Sequence, residues 1–149
     1  MNSVLLPWPH AALSPNARAH WRAKHKAASD ARYKASVIGS GRKRLQNPVC
    51  AVVPLVATNR RRDLDNVLAG LKSALDGLTD AGWWKDDSLI SSYHLVPSVY
   101  SKKWKVNMIV VAACEVEQER DLAESVRRFR EDCETGLPFE ALHRYFKLS

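Results

Sequence analysis

The sequence predicts an α+β fold: a single domain with a mixed β-sheet packed by helices, plus a helical C-terminal extension. Three observations carry that prediction. The runs VCAVVPLVAT at 49–58 and VNMIVVAAC at 106–114 have the length and β-branched composition of strands. Leu68, Leu71, Leu75 and Leu78 recur at spacings of three and four, the stripe of an amphipathic helix. Helical and strand-like stretches mix without regular alternation, which points to a mixed sheet. At 149 residues the chain is long enough to bury a core of its own.

In chain order, VLLPWP at 4–9 reads as a short strand ended by prolines. LSPN at 13–16 is turn chemistry that can also cap a helix. The Ala-rich, cation-bearing stretch 17–38 reads as that helix. A loop with contiguous Arg42, Lys43 and Arg44 leads to the strand at 49–58, where Pro54 suggests an edge or a bulge. The leucine-striped helix follows, and Gly82 is placed to end it. Segments 89–97 and 104–113 read as two strands joined by an SKK turn, the second central because it is almost continuously apolar. From about residue 117 two helices divided by TGLP complete the chain. The expected organisation is a domain at 1–116 and a helical extension at 117–149.

Composition narrows the class. No stretch approaches the roughly 18 apolar residues of a membrane span, and the N-terminus lacks the basic and apolar regions of a secretory leader. Cys50, Cys114 and Cys133 are odd in number and widely spaced, which argues for a reducing compartment, the cytoplasm, and against a disulfide framework or zinc site. The net charge is +7, unevenly spread: residues 1–62 carry 12 Lys/Arg against Asp30, and residues 63–100 carry six Asp against Lys72 and Lys85. A basic first part before an acidic centre attracts polyanions, nucleic acid first among them, more readily than a uniformly solvated surface does.

The charge boundary falls inside RRRDLDN, residues 60–66. Asp63 and Asp65 stand where a strand hands over to a helix. On that helix Lys72 lies seven residues after Asp65 and Asp76 four after Lys72, so the three can share a polar stripe opposite the leucines. Asp86 and Asp87 follow the helix, and a strand there could return toward Asp63 and Asp65. Two readings of the pair stand together: Asp63 caps the helix while Asp65 favours its dipole, or clustered carboxylates beside a lysine hold magnesium and cut a phosphodiester. In the second, Lys72 neutralises charge in the transition state. An EF-hand, Walker A, HExxH or GxSxG motif is absent.

RRDLDN, KSALDGL, AG and DD in this order, with LPWP and SPNARAHWRAK upstream, resemble the RusA-type Holliday junction resolvases over about residues 3–113. The resemblance implies a RusA-like fold and a Mg²⁺-dependent endodeoxyribonuclease, with Mn²⁺ as a substitute. It further implies a homodimer that cuts four-way DNA junctions by paired symmetric nicks, in recombination and repair, in a bacterial or phage-infected cell and away from membranes. It maps catalytic roles to Asp63, Asp65, Asp87 and Lys72, the three aspartates also as metal ligands. One departure stands out: Lys72 follows Asn66 by six residues, three more than in some members, which leaves its aim open.

Arg60, Arg61 and Arg62, with Arg18, Arg22, Lys24 and Lys26, are the expected DNA contacts. His20 reads as a hydrogen-bonding residue, Trp21 equally as core or as a stacking ring, and Trp83 and Trp84 as core. Asp80 reads as solvated, Cys114 as a buried hydrophobe, and Asp86 as either cap or ligand. The rival readings are a nuclease for other branched DNA and a DNA-binding module whose acids are structural.

Overall fold

The structure, a computed structural model, describes residues 1–148. Five strands form one mixed sheet: β1 (Asn2–Pro7), β2 (Pro48–Val56), β3 (Ser92–Leu95), β4 (Val99–Tyr100) and β5 (Met108–Glu115). The order is β1-β5-β2-β3. β5 runs antiparallel to both neighbours, while β3 and the short β4 pair parallel with successive halves of β2. As predicted, the 106–114 run lies centrally.

Helices cover both faces. Alternate residues of β2 point to opposite sides, and every one is buried, so the strand is apolar throughout. On one face Cys50, Val52, Ile109 and Val111 pack with Leu71, Leu75 and Leu78 of α2 (Leu64–Asp80) and with Trp83 and Trp84. On the other, Val53, Leu55, Val110 and Cys114 pack with Leu122 and Phe129 of α3 (Glu119–Glu134) and Leu142 of α4 (Pro138–Tyr145). Trp83, Trp84 and Cys114 are therefore core, as read from the sequence.

Five local expectations change. The first helix, α1 (Trp21–Ile38), begins four residues late because the His20 imidazole caps it, Nδ1 accepting from the Arg22 N–H at 3.2 Å. Pro54 sits neither at an edge nor in a bulge. It lies in central β2 between the β3 and β4 pairings, where the neighbouring chain leaves the ladder and a missing N–H costs nothing. The predicted strand 89–97 shrinks to β3, and β5 starts late because Trp104 turns inward, its Nε1 donating to the Val99 carbonyl. Asp80 is not free in solvent: Arg32 grips it with two bonds of 2.6 and 2.9 Å, tying α1 to α2.

Gly82 ends α2 as expected. With φ +87° it lets the Gly82 and Trp83 N–H groups reach the Thr79 and Leu78 carbonyls, a Schellman closure that carries Trp83 into the core beside Leu78.

The α1–β2 connection is held by Glu115, whose carboxylate accepts the Gln46 and Asn47 N–H groups at 2.7 and 2.8 Å. These bonds, Gln46 first, keep its pKa below the ordinary carboxylate range. A group with a depressed folded pKa stabilises above its unfolded pKa and loses that contribution as pH falls through the folded value. Glu115→Gln turns one acceptor into a donor, so it should cost about 1 kcal/mol at pH 7. The difference from wild type should shrink in acid, below the carboxylate range. Thermal unfolding of both proteins at neutral and acid pH reads this, and a pH-independent difference would mean the charge is irrelevant.

Candidate active site and nucleic-acid face

The site is built on α2. Asp63 is its N-cap: Oδ1 accepts the Asp65 N–H at 3.1 Å and Oδ2 accepts from Asn66 Nδ2 at 3.5 Å. The capping reading of Asp63 thus holds, and its exposed carboxylate keeps acceptor capacity beyond those bonds. Asp65 is exposed in the first turn and, among the described residues, its carboxylate has no hydrogen-bond or ion-pair partner. Two turns on, about 10 Å along the axis, the Lys72 ammonium donates to Asp76 Oδ1 at 2.9 Å and, in a short contact, to Asp87 Oδ2. Asp87 first and Asp76 second raise the Lys72 pKa above the ordinary lysine value, so it stays charged.

The acidic pair divides its labour. Asp86 caps the 3₁₀ turn Asp87–Leu89, accepting the Ser88 N–H at 2.8 Å, and this bond lowers its pKa. Asp87 faces Lys72. The strands that follow do return toward the Asp63 end: they run parallel to β2, from Ser92 opposite Val49 at its start to Tyr100 opposite Val56, next to the β2–α2 turn. Asp87 itself stays at their start, in the 3₁₀ turn alongside the middle of α2. The polar stripe therefore carries Asp65, Lys72 and Asp76 on the helix and receives Asp87 from outside it.

Hard, exposed carboxylate oxygens suit magnesium, which takes one or two protein carboxylates and leaves the rest to water and substrate phosphate. Asp63 and Asp65 fit that donor set. Among the described residues no three His, Cys, Asp or Glu side chains converge as a metal-holding group, and Asp87 is not brought into one with the first pair.

The arginine run forms a ridge between two open grooves. One, of about 310 Å³, is lined by His10, Ser14, Asp63 and Asn66; the other, of about 350 Å³, by Asn59, Ser98 and Tyr100; Arg60, Arg61 and Arg62 border both. Arg60 and Arg61 are exposed. Arg62 is not equivalent to them. It folds back on its own loop, donating to the Arg60 carbonyl at 2.8 Å and to Thr58 Oγ1 at 3.3 Å, with its guanidinium 5.8 Å from the Trp8 ring centroid. Arg18, Arg22, Lys24 and Lys26 are all exposed at the start of α1. Sequence reasoning missed Ser98 and Tyr100, which nothing in their neighbours marks.

A family model described as Endodeoxyribonuclease RusA matches residues 14–111, well over half of the chain. The chain belongs to the RusA family. Among its relatives, an uncharacterized protein of Xylella fastidiosa (strain Temecula1 / ATCC 700964) is 41% identical over 88 residues, covering 54% of this chain and 58% of that one. The crossover junction endodeoxyribonuclease RusA of Escherichia coli (strain K12) is 39% identical over 51 residues, 34% of this chain and 40% of that protein. Its counterpart in Escherichia coli O139:H28 (strain E24377A / ETEC) is 42% identical over 50 residues, 34% and 39% of the two chains. The chain thus spans under two thirds of the length of the relatives it matches. RusA membership accords with the mixed sheet and with the observed order of RRDLDN, Lys72 and the acidic pair. Among the described residues no helix is long and apolar enough to cross a membrane.

Proposed function

We propose that the protein is a Mg²⁺-dependent endodeoxyribonuclease that resolves four-way DNA junctions by paired symmetric nicks, acting as a homodimer in the bacterial or phage-infected cytoplasm. The observation that carries this reading is the charge sequence along one face: exposed Arg60 and Arg61, then Asp63 and Asp65, then Lys72 engaged with Asp87. Mutual neutralisation would not leave Asp65 without a partner while drawing Lys72 to an acid from a distant turn.

In this mechanism Arg60 and Arg61 hold phosphates flanking the cut, with Arg18, Arg22, Lys24 and Lys26 on a neighbouring arm and Arg62 bracing the loop. Asp63 and Asp65 would hold the cation, and Asp87 would complete the set. A divalent ion bound there, Mg²⁺ or Mn²⁺ in its place, would supply an acidified water and charge neutralisation at the phosphate. Lys72 exchanges a carboxylate partner for the phosphate oxygens as negative charge builds on them. A two-fold dimer matches the approximate two-fold symmetry of the junction, which makes one site per chain sufficient. Residues 117–149 are a helical extension to the nuclease domain at 1–116.

A second reading has its own support. Asp63 is a cap and, among the described residues, no three-ligand group is assembled, as a DNA-binding module with structural acids would have it.

One experiment separates them. The wild-type protein is incubated with a labelled four-way junction and a matched linear duplex, in Mg²⁺ and in EDTA. Symmetric nicks on the junction alone, abolished by EDTA, are expected. Junction binding without cleavage even in Mg²⁺ would leave the binding module, and preferential cutting of flaps or forks, included as further substrates, would redirect the substrate class.

A further inference from the structure

The start of α1 buries no side chain. All six residues at 21–26 are exposed, and the first buried side chain of the helix is Ala27. A helix lying on its fold buries a stripe at every turn, so this segment projects into solvent on all sides. It carries Trp21, 66% exposed, whereas Trp83 and Trp84 are 0% exposed and Trp104 2%. The His20 ring lies 5.7 Å from the indole, tilted by 32°, and the Arg22 guanidinium stands 5.3 Å from its ring centroid.

The surroundings decide what would cover such a ring. Arg18, Arg22, Lys24 and Lys26 lie within five residues of it, and no acid precedes Asp30. That field draws a polyanion. A membrane-surface helix would need an apolar stripe, yet between residues 17 and 32 Trp21 is the sole large apolar side chain. An aromatic ring among cations is the combination that binds unpaired nucleic acid, the cations tracking the backbone and the ring stacking on a base. Intact duplex keeps its bases inside, while a branch point offers bases whose stacking is interrupted.

The geometry points to Trp21 as a stacking platform for an unpaired nucleobase at the branch of the DNA, with the four neighbouring cations on flanking phosphates. This role rests on the branched-DNA reading above and deepens it. Because every base has a stacking face, Trp21 would read openness rather than sequence.

Binding in EDTA, where cutting does not interfere, tests it by fluorescence anisotropy on a four-way junction, a single strand and a matched duplex. Trp21→Ala should weaken junction and single-strand binding between about fivefold and a hundredfold, and duplex binding by less than about twofold. Trp21→Phe should keep most of the affinity. Tryptophan emission quenched by the single strand in wild type should be unquenched in Trp21→Phe. Equal losses on all three DNAs, or no loss on any, would overturn the role. If wild type fails to prefer junction over duplex, the branched-DNA reading fails by itself. The single strand still decides Trp21, a loss there supporting stacking and its absence refuting it.

Discussion

Asp65→Asn and Asp87→Asn are each expected to slow junction cleavage in Mg²⁺ at least about a hundredfold, with Asp86→Asn within about twofold of wild type. The contrast follows from what each carboxylate touches. Asp65 is exposed and without a partner among the described residues, so the amide should cost the fold little while removing a hard anionic donor. Asp87 accepts from the Lys72 ammonium from outside α2. Its amide weakens the contact that aims the ammonium and removes the third proposed carboxylate. Asp86 caps a 3₁₀ turn through the Ser88 N–H, and asparagine caps as well as aspartate does. Single-turnover cleavage, with junction affinity measured in EDTA, separates chemistry from binding. If Asp86→Asn proves as damaging as Asp87→Asn, the division of the pair is wrong. If all three cut normally, the acids are structural and the enzyme reading falls.

Gly77→Ala is expected to be the most damaging small change to stability. In an exposed helix interior alanine would gain about 1 kcal/mol over glycine. Here a Cβ at Gly77 would stand 2.2 Å from the Arg32 carbonyl oxygen and 2.8 Å from the Ala35 Cβ. Such a carbon and oxygen normally stay about 3.3 Å apart or more, and the near atom is backbone that cannot swing aside. α1 and α2 would have to separate by about 1 Å, which loosens Leu75 and Leu78 against the sheet. Overpacking of this kind costs about 3 kcal/mol, so packing outweighs propensity by about 2 kcal/mol. For a chain of this size Tm should fall by about 5–10 °C. Calorimetry checks it, and an unchanged or higher Tm would show that the two helices do not approach this closely.

The same contact explains why the Ala-rich α1 could be recognised but not placed. Alanine content announces a helix whatever surrounds it. That Ala27 and Ala35 are its buried side chains, with Ala35 pressed against Gly77 of α2, depends on where α2 lies. LSPN looks like a cap, yet α1 starts four residues beyond 17, where the His20 imidazole accepts the Arg22 N–H.

At the site the division is similar. Asp65, Lys72 and Asp76 share a stripe because helical geometry lines up residues seven and four apart, so the Lys72–Asp76 contact was legible in the spacing. Asp87 reaching Lys72 was not. That contact requires a 3₁₀ turn and a parallel register that pairs Ser92 with Val49, and both are set by how β3 settles on β2. Nothing in RRR distinguishes Arg62 from its neighbours either, until Trp8 and Thr58 are beside it.

By itself, then, the sequence determined the helix and strand types, the Gly82 stop, the apolar central strand and the order of basic, acidic and lysine segments. Each of these depends on neighbours within a few residues. Tertiary structure alone decided that Pro54 could occupy a central strand, that Arg32 and Asp80 would pair, and which member of the acidic pair would meet Lys72. Those outcomes depend on sheet register and on covering both faces of β2, and pairings between residues dozens of positions apart leave no local periodicity to read.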